Sequence, residues 1–127
     1  MLEMIAEVSR VSNRSSELVS TSRIERAKKI IHEHFSDNLT LSVIAESIGA
    51  HPVYLAREFR KRYSYTIGEY IRHLRVQFAC RELANPDATI AEIATASGFF
   101  DQSHFSRTFK QMTGTTPTEY RTNLRSR

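Results

Sequence analysis

The chain has 127 residues, 40% of them apolar, with 18 basic and 14 acidic side chains and a formal net charge of +4. That length suits one compact unit or two small lobes, and the longest apolar runs are far too short to cross a bilayer. No charged segment followed by an apolar stretch suggests export. A single cysteine, Cys80, excludes disulfide stapling and cysteine-based metal sites.

In chain order, Leu2, Ile5, Ala6 and Val8 suit a short helix, and the Ser-, Asn- and Arg-rich stretch from Ser9 to Ser22 reads as a linker. Ser22-Arg23-Ile24-Glu25 has the form of a capping box. The helix after it places Ile24, Ala27, Ile31 and Phe35 on one face, and Asp37-Asn38 ends it. Thr40 caps a helix over 41–48 with Leu41, Ile44, Ala45 and Ile48 inward. Gly49 follows where a helix end needs a residue tolerant of positive φ. Pro52 suits the first turn of the next helix, in which Leu55 and Phe59 face inward and Val53, Ala56, Arg57, Arg60 and Lys61 face out.

Thr66 and Glu69 make a second box, opening a helix to about Asn85 with a stripe of Ile67, Tyr70, Ile71, Leu74 and Phe78. At about 1.5 Å per residue, its ~19 residues span just under 30 Å. Thr89-Ile90-Ala91-Glu92 is a third box, Gly98 a second turn glycine, and Asp101 an N-cap for a helix over 102–112. Thr116-Pro117-Thr118-Glu119 is a fourth box, opening a short helix through Leu124. The expected fold is all-α, about seven helices without a convincing strand.

Residues 40–70 and 89–120 repeat one another. Thr40-Leu41-Ser42-Val43-Ile44-Ala45-Glu46-Ser47-Ile48-Gly49 matches Thr89-Ile90-Ala91-Glu92-Ile93-Ala94-Thr95-Ala96-Ser97-Gly98 at an offset of 49. Phe59 then matches Phe109, and Thr66 to Tyr70 matches Thr116 to Tyr120, at an offset of 50. Two copies are too few for a solenoid. Each reads as helix, glycine turn, second helix and capped third helix: two helix-turn-helix subdomains, 22–65 and 86–124, joined by the connecting helix 66–85.

Such a unit lets a rigidly backed helix enter the major groove, where each base pair shows a distinct donor and acceptor pattern. Readers of successive grooves stand about 34 Å apart, close to the connector's length. Charge agrees. Residues 1–50 hold six basic and seven acidic side chains, against twelve and seven in 51–127, so the basic excess lies with both second helices.

The spaced positions Ile44-Ala45, Gly49, Leu55 and Phe59 carry a family resemblance together with Ile93-Ala94, Gly98-Phe99, His104-Phe105-Ser106-Arg107, Phe109-Lys110, Thr116-Pro117 and Tyr120-Arg121. Over about residues 22–122 the chain closely resembles the DNA-binding domain of AraC/XylS-type bacterial transcription regulators. The resemblance implies a regulator, in most members an activator beside RNA polymerase, that binds an asymmetric double-stranded DNA site with two recognition helices. It implies base contacts from Val53, Ala56 and Arg57 on the first reading helix and from Gln102, Ser103, His104, Ser106 and Arg107 on the second. Arg can donate twice to guanine and Gln can pair with adenine. Arg60, Lys61 and Lys110, farther along, suit phosphates. Where relatives often start the first reading helix with Ser-Pro, this chain has His51-Pro52, a poorer cap unless the imidazole accepts from a backbone N–H. Val53 and Ala56 offer only apolar contacts, leaving Arg57 to dominate readout there. Residues 1–21 would then be a linker or the tail of a preceding sensing or dimerisation domain, with the isolated chain monomeric and the longer regulator able to dimerise.

Other features point to ordinary structure. His32 and His34 lie two apart, on different faces of a helix, and no HExxH spacing occurs, so neither metal nor cofactor is expected. His104 suits packing near the cap as well as it suits DNA. Tyr63, Tyr65, Tyr70 and Tyr120 read as core or corner residues, and Cys80 as a half-buried residue on a helix. Arg72, Arg75 and Arg81 suit phosphates between the grooves or solvated ion pairs equally. No nucleophile–base set or phosphate loop is visible, so no catalytic residue or enzymatic activity is expected. The competing reading is a helical protein-interaction or signalling module without sequence-specific DNA binding. The expected location is a reducing cytoplasm, at the nucleoid.

Overall fold

The computed structural model describes residues 21–126. They form α1 (21–34), α2 (Leu41–Ile48), α3 (Pro52–Tyr63), α4 (Ile67–Glu82), α5 (Ile90–Ser97), α6 (Gln102–Thr113) and α7 (Pro117–Arg125). No strand occurs among the described residues, so the all-α fold of two helix-turn-helix subdomains on a connecting helix is observed. The Leu2–Val8 helix and all but the end of the Ser9–Ser22 linker lie outside the described residues.

Local chemistry explains most helix ends. Thr40 and Thr89 accept at the starts of α2 and α5, from Val43 N–H at 3.1 Å and Glu92 N–H at 3.0 Å. Thr66 and Thr116 do so in full reciprocal boxes. Thr66 Oγ1 accepts from Glu69 N–H while Glu69 Oε2 accepts from Thr66 N–H, at 3.1 and 3.2 Å. At Thr116 and Glu119 both distances are 3.1 Å. The turn glycines 49 and 98 have φ of 69° and 96°, the left-handed region that glycine enters without a Cβ penalty.

Three expectations need correction. Residue 21 is already helical, so Ser22 lies inside α1 and does not cap it. Glu25 instead accepts from Arg62 Nη2 of α3 at 2.8 Å. At Thr89 only the first half of the box forms. The connecting helix ends at Glu82 rather than near Asn85: the bonds then tighten to three-residue turns, Ala84 N–H to Arg81 O at 3.3 Å and Asn85 N–H to Glu82 O at 3.0 Å. Its 16 residues rise about 24 Å.

Two hydrophobic cores flank α4. The first gathers Ile24, Ala27 and Ile31 of α1, Ile44, Ala45 and Ile48 of α2, Leu55 and Phe59 of α3, and Ile67 and Ile71 of α4. The second gathers Val76, Ala79 and Leu83 with Ile93, Ala94, Phe99, Phe105 and Phe109. The expected α4 stripe therefore holds only for its first half. Five residues separate Ile71 from Val76, a rotation of about 140° around the axis, which turns the apolar face toward the second core. Phe78 is half-buried and meets the Phe35 ring edge-on at 5.8 Å.

The repeat survives in atomic detail. The Phe59 and Tyr70 rings meet at 5.5 Å and 76°, and Phe109 and Tyr120 at 5.5 Å and 77°. Such edge-to-face pairs favour one geometry beyond the area they bury. Tyr63, Tyr70 and Tyr120 are half-buried packing residues, whereas Tyr65 is exposed beside the His73 ring. Cys80 is half-buried in α4; burial pushes its thiol pKa up, and a hydrogen bond with Tyr120 pulls it the other way.

Candidate nucleic-acid interface

The second helix of each unit, α3 or α6, is anchored by two inward rings or side chains one turn apart. Leu55 and Phe59 hold α3, and Phe105 and Phe109 hold α6; all four have 0% exposure. Behind them Ala45 and Ala94, both buried, leave room for close helix approach. With one face fixed, the opposite face must look away from the core.

That opposite face carries the expected readers. On α3, Val53 is 64% exposed and the Arg57 side chain 70%. Ala56 is half-buried, and Arg60 and Lys61 are exposed. At 3.6 residues per turn these five fall within one sector of about 140°. On α6, Gln102, Ser103, Arg107 and Lys110 are exposed and Ser106 is half-buried. The repeat offset of 50 makes Val53 equivalent to Ser103, Ala56 to Ser106, Arg57 to Arg107 and Arg60 to Lys110. The second helix of each unit thus presents an arginine at the same place.

The helix starts are built differently. His51 Nδ1 accepts from Val53 N–H at 3.2 Å, so the imidazole serves as the cap that an alcohol side chain would otherwise supply. Asp101 Oδ1 accepts from His104 N–H at 2.7 Å. His104 itself is half-buried and edge-on to Phe99 at 5.4 Å, with Nδ1 buried and unpaired. The nearest carboxylate to Arg57, that of Glu58, stands 3.9 Å away, too far for a hydrogen bond. Arg60, Lys61 and Arg62 occupy the last turn of α3, where positive charge also complements the helix dipole.

Arg75 has partners within the protein and makes no ion pair among the described residues: Nε donates to Phe35 O at 2.7 Å and Nη2 to Asp37 O at 3.1 Å. Its desolvation lowers the guanidinium pKa, with Arg72 adding to the effect. Arg121 does similar work in the second unit, donating to Leu83, Asn85 and Ala88 carbonyls at 3.2, 3.2 and 2.7 Å. Arg72 and Arg81 are exposed. No grouping of three His, Cys, Asp or Glu able to hold a metal occurs among the described residues, nor does a helix long and apolar enough to cross a membrane.

Known proteins share this arrangement. A sequence model described as a helix-turn-helix domain matches residues 44–123. The Msm operon regulatory protein of Streptococcus mutans serotype c is 34% identical over 103 residues, covering 81% of this chain and 37% of that protein. The chain therefore spans little more than a third of that relative's length. The C-terminal domain of AraT, a response regulator from Geobacillus stearothermophilus, superimposes with a TM-score of 0.77 at 33% identity, covering 83% of this chain and 85% of that one. A transcriptional regulator from Chromobacterium violaceum, described by its AraC-type DNA-binding domain, gives 0.73 at 26% identity, covering 81% and 92%. The chain belongs to the AraC-type helix-turn-helix family of DNA-binding transcription regulators.

Proposed function

We propose that this domain reads an asymmetric double-stranded DNA site by placing α3 and α6 in two successive major grooves, and that it activates transcription beside RNA polymerase as part of a longer regulator. The carrying observation is the pair of equivalent exposed faces, each with an arginine, on helices locked from behind by buried aromatic and aliphatic side chains. Arg57 and Arg107 then donate to guanine O6 and N7, and Gln102 pairs with adenine. Val53 and Ala56 meet thymine methyl groups, while Ser103 and Ser106 take either role of donor or acceptor. His104, edge-on to Phe99, adds a further base contact. Arg60, Lys61 and Lys110 neutralise phosphates, which set register and orientation without reading sequence.

The isolated domain acts as a monomer with two readers, dimerisation belonging to a domain before it, and works in the cytoplasm at the nucleoid. Two substitutions separate base reading from phosphate binding. Arg107→Ala relaxes specificity at one base position, by about 1–3 kcal/mol of lost discrimination. Lys110→Ala weakens all duplexes alike and lowers the salt slope by about one. Binding titrations against a base-by-base mutated site measure both. Indistinguishable behaviour of the two variants would remove the role assignment, and affinity without salt dependence would favour a protein-interaction module.

A further inference from the structure

The two units share α4, but a second junction ties them together. It is built from the α1–α2 loop of the first unit, the middle of α4 and the glycine turn of the second. Arg75 leaves α4 between Ile71, which belongs to the first core, and Val76, which belongs to the second. Its guanidinium donates to Phe35 O and Asp37 O of the first unit's loop. The same guanidinium lies over the Phe99 ring of the second unit, 5.9 Å from its centroid. Only the planar fork of arginine can meet two carbonyls and stack on a ring at once.

The glycine turn closes the junction from the other side. A Cβ on Gly98 would stand 2.7 Å from Ser36 Cα and 2.8 Å from Ser36 O, so the two backbones are in direct contact. At Gly49, the equivalent glycine of the first unit, a Cβ would meet nothing within 4 Å. The close approach is therefore not a requirement of the helix-turn-helix itself. It marks where one unit rests on the other. Arg121, by contrast, bonds carbonyls at the end of α4 and in the turn after it, with no acceptor from the first unit among the described residues.

We propose that Arg75 is a positioning residue: by pinning the Phe35–Asp37 loop against Phe99, it holds the two reading helices at one separation and one rotational phase along the duplex. The proposal rests on the reading that both α3 and α6 engage DNA. One inserted base pair displaces the second half-site by about 3.4 Å and rotates it by about 34–36°. A rigid pair of readers must register that change, and a loosened pair need not.

The test uses the full 127-residue chain and duplexes carrying a site selected from random DNA, at its selected spacing and with one or two base pairs inserted or removed between the half-sites. Wild type should lose at least about tenfold in affinity per base pair of altered spacing. Arg75→Met, which removes both donations and the cation, should bind an isolated half-site as wild type does. At the selected spacing it should bind about fivefold more weakly, and its spacing penalty should shrink to about threefold or less. Arg75→Lys, with charge but no fork, should fall between the two, and it decides the matter if the methionine variant does not show a cooperative unfolding transition. A folded variant with the wild-type spacing profile would overturn the proposal, as would equal losses at every spacing and on half-sites, the signature of a merely structural role. If wild type gains nothing from a second half-site at any spacing, the two-helix reading has failed first, and the positioning role falls with it.

Discussion

Equivalent positions in the two copies have different surroundings, and single residues show how the duplicated sequence has been put to unequal use. Gly49 and Gly98 both sit at left-handed helix ends. Gly49→Ala meets only the backbone penalty and should cost about 1 kcal/mol. Gly98→Ala adds a collision with the Ser36 backbone and should cost about 3 kcal/mol, to be read from denaturant unfolding of both variants. Equal losses would mean that the contact with Ser36 is not maintained in solution. The need for glycine at both places is legible from the sequence, since each ends a capped apolar stretch. The inequality is not, because Ser36 lies 62 positions before Gly98 and no local pattern connects them. His51 is the opposite case. Its neighbours Pro52 and Val53 pose the question of the cap, and the imidazole answers it with the hydrogen bond to Val53 N–H.

At the level of helices, caps and periodicity carry most of the information. Thr66 and Thr116, each with a glutamate three residues on, predict full boxes that are present. Thr66→Ala should therefore cost about 0.5–2 kcal/mol, and a thermal or denaturant titration that shows no loss would disprove the cap's contribution. Two readings of the same kind go astray: at Thr89 only the first half of the box forms, and at Ser22 the glutamate finds a distant partner. Glu25 turns to Arg62, 37 residues away, and Ser22 is left within the helix. In α4 the periodicity misleads for a different reason: the helix packs two cores on faces rotated by about 140°, so no single stripe describes it. Val76 and Ala79 are buried there although Phe78, the more apolar choice by eye, is not fully so. The reading faces of α3 and α6 are easier, since Leu55, Phe59, Phe105 and Phe109 define the inner side and leave Arg57 and Arg107 outside. What the sequence hides is which basic side chains are tied to the backbone. Arg57, Arg75 and Arg121 look alike along the chain, yet Arg75 and Arg121 are committed to backbone carbonyls.

For the molecule as a whole, the repeat foretells the architecture, and the basic excess of residues 51–127 lies with both second helices. Two units, two cores and a shared helix follow from the offsets of 49 and 50, and the paired Phe59–Tyr70 and Phe109–Tyr120 contacts preserve them. The relation between the units is a tertiary property, set by α4, by Arg75 and by the seat of Gly98 on Ser36. Under the proposed reading, that relation is what would let α3 and α6 act as one reader. The most direct measurement is selection of bound duplexes from random double-stranded DNA by the full chain. Two readers on one chain should select a non-palindromic motif of two blocks separated by about one helical turn. A single block, or a palindrome requiring two copies of the chain, would contradict it.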